Sequence, residues 1–141
     1  MITHKGQCHC GDVEITFETS LEGPKIMPRT CDCTFCRRTR PIYASDPAGQ
    51  ITLRHKAGAL RAYRFGHETA DFISCARCGV FLGAIGEMNA NTHGVLNVAG
   101  ALMEDLMADE AVVLNFDGEG VEARNARRDQ RWTPVRLEET P

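Results

Sequence analysis

A mainly β domain of short strands is the fold class this sequence predicts, and three observations predict it. Val13, Ile15 and Phe17 alternate with Asp12, Glu14, Thr16 and Glu18, the period-2 pattern of a half-buried strand. Short runs of β-branched and aromatic residues recur between clusters of Gly, Pro, Asn and Asp, as strands separated by turns do. No unit of about 30 residues alternates a strand with an amphipathic helix, which argues against a doubly wound α/β fold.

The elements follow in order. After the alternating strand, LEGP at 21–24 is a turn, and IMPRTC runs extended into a cysteine-rich segment. SDPAGQ at 45–50 is a second turn. Strand-like runs come at ITLRH, LRAYRF and ADFISC, then at VFLGAI after Cys78 and GVLNVAG near residue 95. Gly66 with His67, and EMNANTHG at 87–94, are expected as loops. Leu102 and Leu106, with Met103 and Met107, repeat at four-residue spacing, so one short helix is expected over 103–108. VVLNFDG reads as a late strand and turn. EARNARRDQRW fits a helix or a loop; its arginines between 124 and 131, interleaved with Asp129 and preceded by Glu122, read as a solvated surface.

At 141 residues the chain is expected to form one domain, 1–141, with a core that needs no covalent staples. A formal net charge of -3 argues against a protein built around phosphate neutralisation, so no nucleic-acid partner is expected. Polar residues interrupt every apolar run well before the roughly 20 needed to span a membrane. MITHKGQCHCG lacks the apolar core of a secretory signal. The expected location is therefore cytoplasmic, where thiols stay reduced and cysteines serve as metal ligands or nucleophiles.

All 7 cysteines fall into local groups: Cys8 and Cys10; Cys31, Cys33 and Cys36; Cys75 and Cys78. Sulfurs on tetrahedral zinc sit about 3.8 Å apart, a span that C-x-C and C-x-x-C can close. Gly11 and Gly79 follow their pairs and let the backbone fold around a metal. Two pairs complete one four-cysteine site, which leaves the triple of TCDCTFCRR. Four protein ligands make a closed, structural zinc; three leave a position for water or substrate. The count also permits an arrangement in which the triple borrows a cysteine from another group. A structural zinc ribbon with bystander thiols, a redox C-x-x-C and a disulfide framework are the competing readings. The redox reading lacks its βαβ context, and the disulfide framework strands one odd cysteine.

GQCHCG, CDCTFCRR and CARCG, in this order and close to this spacing, resemble the glutathione-dependent formaldehyde-activating enzymes over about residues 6–105. The resemblance implies an Mss4-like β sandwich of short antiparallel strands with zinc sites and at most one or two short helices. It implies a structural zinc on Cys8, Cys10, Cys75 and Cys78 and a catalytic one on Cys31, Cys33 and Cys36. The activity it implies is a carbon–sulfur lyase type: addition of glutathione to formaldehyde to give an S-hydroxymethyl adduct, or the reverse. The partners are then a small-molecule thiol and an aldehyde. The alternative from another class is a zinc-stabilised, Mss4-like interaction module without catalysis.

Three departures stand beside the triple. Asp32 replaces a frequent His, Thr39-Arg40-Pro41 replaces a common Ser-Gly, and Gly100-Ala101-Leu102 is a weak match to a Gly-x-Leu segment. They point to a different substrate more than to a different metal. Arg37 and Arg38, with Arg40, follow the cluster and are the expected receivers of glutathione carboxylates, through forked guanidinium contacts. His9 lies between two ligands and should point away from their metal, while His55, His67 and His93 are candidates for a fourth ligand or a proton relay.

Overall fold

The computed structural model describes residues 1–107 and 111–141, and only the backbone of residues 23 and 24. The strands are β1 (Ile2–Gln7), β2 (Val13–Thr19), β3 (Arg29–Cys31), β4 (Tyr43–Ala44), β5 (Gln50–His55), β6 (Leu60–Tyr63), β7 (Asp71–Cys75), β8 (Phe81–Met88), β9 (Asn91–Asn97), β10 (Val112–Leu114) and β11 (Thr133–Glu139). Two helices, α1 (Cys36–Thr39) and α2 (Val121–Arg131), and two 3-10 turns, Gly23–Ile26 and Glu104–Leu106, complete the fold. No helix among the described residues is long and apolar enough to cross a membrane.

The strands join in the order β1-β2-β5-β11-β9-β4-β3-β10, and β8, β7 and β6 branch from β9. Most pairs are antiparallel, as expected; β11 with β5 and β10 with β3 are parallel. Both parallel pairs close long connections, which is what parallel neighbours require. β11 ties two layers together. Its Thr133 and Pro134 pair with β9, and from Val135 onward it pairs with β5.

Alternation decides which side chains meet between the layers. β2 buries Val13, Ile15, Phe17 and Thr19 on one face, and β5 adds Ile51 and Leu53. They pack with Leu82 of β8 and Leu96 of β9, and the buried Cys8 and Cys75 belong to the same cluster. Each large side chain removed from water there stabilises the fold by roughly 1.5–3 kcal/mol. Neighbouring residues on β9 point to opposite faces. Val95 accordingly joins a second cluster with Cys36, Tyr43, Phe81, Ala84 and Trp132. The middle of the sheet is thus apolar on both sides, which is why GVLNVAG shows no clean alternation.

The segment at 87–94 is not a loop. β8 and β9 run through it as a hairpin, with Met88 paired to Asn91 around Asn89 and Ala90. Both turn residues have positive φ, 51° and 65°, as a tight two-residue hairpin turn demands. Asn-Ala is a weaker turn signal than Asn-Gly, so the sequence hid it. The helix expected over 103–108 is a single 3-10 turn, Glu104–Leu106; Ala108 lies outside the described residues. EARNARRDQRW is helical, as α2. β1, β4 and β11 had no sequence signal, because their side chains are mixed in polarity or their runs too short.

The turn at 45–50 is anchored by buried polar contacts. Asp46 accepts from Thr19 Oγ1 at 2.6 Å and from the Ala48 amide at 2.9 Å, while its own amide donates to Thr133 Oγ1 at 2.7 Å. All three of Thr19, Asp46 and Thr133 are buried, so each donor left alone pays a desolvation penalty. Replacing Asp46 by Ala is expected to lower the unfolding free energy in urea by about 2–4 kcal/mol. The exposed Asp117→Ala should change it by no more than about 0.5 kcal/mol.

Candidate metal centres and the adjoining pocket

Two turns distant in sequence bring four thiols together. Gly11 and Gly79, at φ 86° and 79°, reverse the chain after Cys10 and after Cys78, in the left-handed region that glycine enters without strain. The sulfurs of Cys8, Cys10, Cys75 and Cys78 lie within 4.8 Å of one another. Cys8 and Cys10 Sγ are 3.7 Å apart, and Cys10 and Cys75 Sγ 3.6 Å, close to the ~3.8 Å edge of a zinc–sulfur tetrahedron. Amides of Val13 and Cys78 donate to Cys8 and Cys75 Sγ at 3.4 and 3.5 Å and orient those sulfurs. Cys8 is 1% exposed and Cys75 is fully buried within the main core. The donor set, the spacing and the amide contacts all fit zinc.

Cys31, Cys33 and Cys36 form the second group, also within 4.8 Å of one another. β3 delivers Cys31, a turn carries Cys33, and α1 opens on Cys36. The amides of Cys33 and Cys36 donate to Cys31 and Cys33 Sγ, both at 3.4 Å. Cys31 and Cys36 are shifted in opposite directions. The side-chain hydrogen bond between Cys36 and Cys31 pulls the Cys31 thiol down to about 6, against the opposing effect of burial. That same bond, together with burial, pushes Cys36 well above the thiol range. Tyr43 Oη sits 3.2 Å from Cys36 Sγ. Burial first, then the neighbouring cysteines, keep its phenol protonated. Among the described residues, both groups consist of cysteines alone.

The three-cysteine group opens onto a cavity of about 240 Å³. Tyr43, Phe72, Ala84 and Val95 form its apolar side, and Arg29, Arg124, Arg127 and Arg128 line it as well. Arg29 precedes Cys31 by two residues on β3 and so shares its face. The other three arginines come from α2. Residues 124, 127, 128 and 131 are spaced i, i+3, i+4 and i+7, which makes one stripe along a helix. This corrects the reading of the 124–131 arginines as a solvated surface for three of them, since Arg128 is buried and Arg124 and Arg127 are largely so; Arg131 is exposed, as expected. Their spacing was the available signal, and the interleaved Asp129 obscured it. Tyr43 carried no signal, since only the fold brings it to the cluster.

Glu119 fixes this wall. Its two carboxylate oxygens accept from Arg124 Nε at 3.0 Å, Arg127 Nε at 2.9 Å and Arg127 Nη2 at 3.0 Å. The Arg127 guanidinium also lies 3.6 Å over the Phe116 ring. Burial first, then repulsion from Arg127, drives Arg128 down to about 10.

The remaining candidates fall elsewhere. Arg37, Arg38 and Arg40 are exposed and do not line the cavity, and Arg38 donates to the Thr34 carbonyl. Arg40 is the left-handed cap of α1, at φ 50° and ψ 54°. Glycine is the residue that suits such a position, so this departure lies in a helix end rather than in the pocket. Asp32 lines the cavity and accepts from Asn115 Nδ2 at 3.0 Å. His9 is exposed. His55, His67 and His93 contact the carbonyls of Lys56, Glu119 and Asn91 and join neither cysteine group.

The Glu119 carboxyl is held down to about 2, against an ordinary 4.5, by Arg127 first and then Arg124. A depressed folded value contributes stability above pH 4.5 that disappears as pH falls toward 2. The thermal midpoint of the protein should therefore fall by a few degrees more over that window than that of Glu119→Gln, followed by circular dichroism.

Comparison with known proteins agrees with this geometry. A crystal structure of a Rhodobacter sphaeroides protein superposes with a TM-score of 0.60 at 33% identity, covering 78% of this chain and 99% of that one. The sequence model described as glutathione-dependent formaldehyde-activating enzyme matches residues 3–113, a span that holds all seven cysteines. The chain belongs to the glutathione-dependent formaldehyde-activating enzyme family.

Proposed function

We propose that this protein is a two-zinc enzyme that adds glutathione, or a related thiol, to formaldehyde or another small aldehyde, or catalyses the reverse. One observation carries the reading: the four-cysteine group packs on the main core through the buried Cys8 and Cys75 and, among the described residues, borders no cavity of this kind, whereas Cys31, Cys33 and Cys36 line one. Zinc held by those three cysteines supplies Lewis acidity and stabilises a coordinated thiol as its thiolate.

The chain's own residues do the rest. Cys31, Cys33 and Cys36 would hold the metal, and the amide contacts to Cys31 and Cys33 orient their sulfurs. The Tyr43 phenol stays protonated 3.2 Å from Cys36 Sγ, a proton donor beside the three cysteines. Phe72, Ala84 and Val95 exclude water from one side, which strengthens every charge interaction within. In the reaction the thiol sulfur bonds to the carbonyl carbon, the π pair moves to oxygen, and that oxygen takes the proton the thiol gave up. Bringing both reactants to one site supplies much of the acceleration, since the partners also combine without an enzyme. Arg37 and Arg38, exposed and next in sequence to Cys36, would meet only those carboxylates of the thiol that remain in solvent.

Metal analysis separates the two sites. The intact chain should hold two zinc ions; Cys31→Ala or Cys36→Ala should hold one and keep its circular dichroism spectrum, while Cys75→Ala should unfold. A single ion unaffected by Cys31→Ala removes the two-site assignment.

Turnover is read as exchange between formaldehyde, glutathione and their adduct. The rate should exceed the spontaneous background by at least about 100-fold and return to background in Cys33→Ala. Equal rates in the two proteins would leave a zinc-stabilised binding module.

A further inference from the structure

Among the described residues, two of the four pocket arginines lack a counter-charge. Arg124 and Arg127 share Glu119, but no carboxylate pairs with Arg29 or Arg128 among the described residues. Arg29 Nη2 donates to Ser45 Oγ at 2.6 Å and Arg128 Nη1 to Thr69 Oγ1 at 2.8 Å, and both acceptors are neutral. Arg128 is 7% exposed, lies 4.5 Å over the Trp132 ring, and its buried Nε has no hydrogen-bond partner. A guanidinium taken out of water without an anion costs free energy that a neutral side chain in its place would not.

The negative groups nearby do not cancel this arrangement. Asp32 and Asp117 line the cavity but are bound to Asn115, and Asp117 is exposed, where solvent and salt screen it. Three thiolates on a divalent zinc leave one net negative charge, which one guanidinium offsets. A second positive charge remains unanswered beside the open end of the metal site.

We propose that Arg29 and Arg128 form a carboxylate subsite, holding the acid group of a small ligand whose sulfur or carbonyl carbon reaches Cys31, Cys33 and Cys36. This deepens the thiol-addition reading and rests on it for the identity of the reacting groups. The planar guanidinium fork matches a carboxylate in shape and charge. The cavity, about 240 Å³, is smaller than the roughly 300–1,000 Å³ typical of drug-sized sites, so the portion it encloses is compact. Arg29 lies within the family match, which ends at residue 113. Arg128 comes from α2, beyond it, so the subsite combines a residue of the matched span with one outside it.

The test compares charged and neutral versions of each reactant by calorimetric titration of the zinc-loaded protein. Mercaptoacetate is paired with mercaptoacetamide, and glyoxylate with glyoxylamide. In at least one pair the acid should bind about tenfold or more tighter than the amide. That preference should shrink to about twofold or less in Arg29→Gln and in Arg128→Gln, and persist in Arg136→Gln, an exposed arginine of β11. A preference in the thiol pair places the carboxylate on the thiol; a preference in the glyoxylate pair alone places it on the carbonyl component. Equal binding of acid and amide in both pairs overturns the subsite, as does a preference that survives both pocket substitutions. Should Arg128→Gln fail to fold, the ratio in the unaltered protein and in Arg29→Gln still decides. A preference for the acid without turnover would uphold the subsite and remove the proposed reaction.

Discussion

Four sulfurs held within 4.8 Å of one another are the constraint on which this architecture depends. As thiolates they repel; as thiols they make only weak hydrogen bonds; a divalent cation resolves both problems at once. The two turns that supply them are some 65 residues apart in sequence, Cys10 to Cys75. Closing that loop joins the turn between β1 and β2 to the turn between β7 and β8. The metal group thereby becomes part of the hydrophobic core rather than an attachment to it, since Cys8 and Cys75 pack with Val13, Ile15 and Leu82.

Because that demand is met inside the core, the second group is free to be incomplete. Cys31, Cys33 and Cys36 border a different apolar cluster, on the opposite face of β8 and β9. The alternation of β9 separates the two groups: Leu96 joins the cluster that holds Cys8 and Cys75, and Val95 lines the cavity. A position left open on a metal is useful only where something can reach it. Here β3, α2 and the apolar face of β8 and β9 leave a cavity at that position.

α2 gives the cavity its chemical character. A helix whose inward stripe is arginine would be expelled from a purely apolar site, and three compensations hold it. Glu119 takes two of the guanidiniums, Phe116 and Trp132 offer ring faces, and Thr69 takes one donor from Arg128. What remains uncompensated is positive charge next to sulfur. The pocket therefore differs from a hydrophobic slot for a neutral aldehyde alone.

Much of this was written in the sequence. The grouping of cysteines followed from their spacing, because chelation by C-x-C and C-x-x-C is a local property. The strands that alternate, or that are apolar throughout, followed from side-chain period. The hairpin at Asn89 and Ala90 did not, because backbone handedness at a turn lacking glycine is set by the strands it joins. Nor did the pocket. Arg29 stands two residues from Cys31 and could have been placed on its face, but Tyr43 and the arginines of α2 meet the cluster only through long-range packing. Local chemistry thus determined which residues can bind metal. The tertiary structure decided which cysteine group borders a cavity and which charges line that cavity, because only packing brings α2 against β8 and β9.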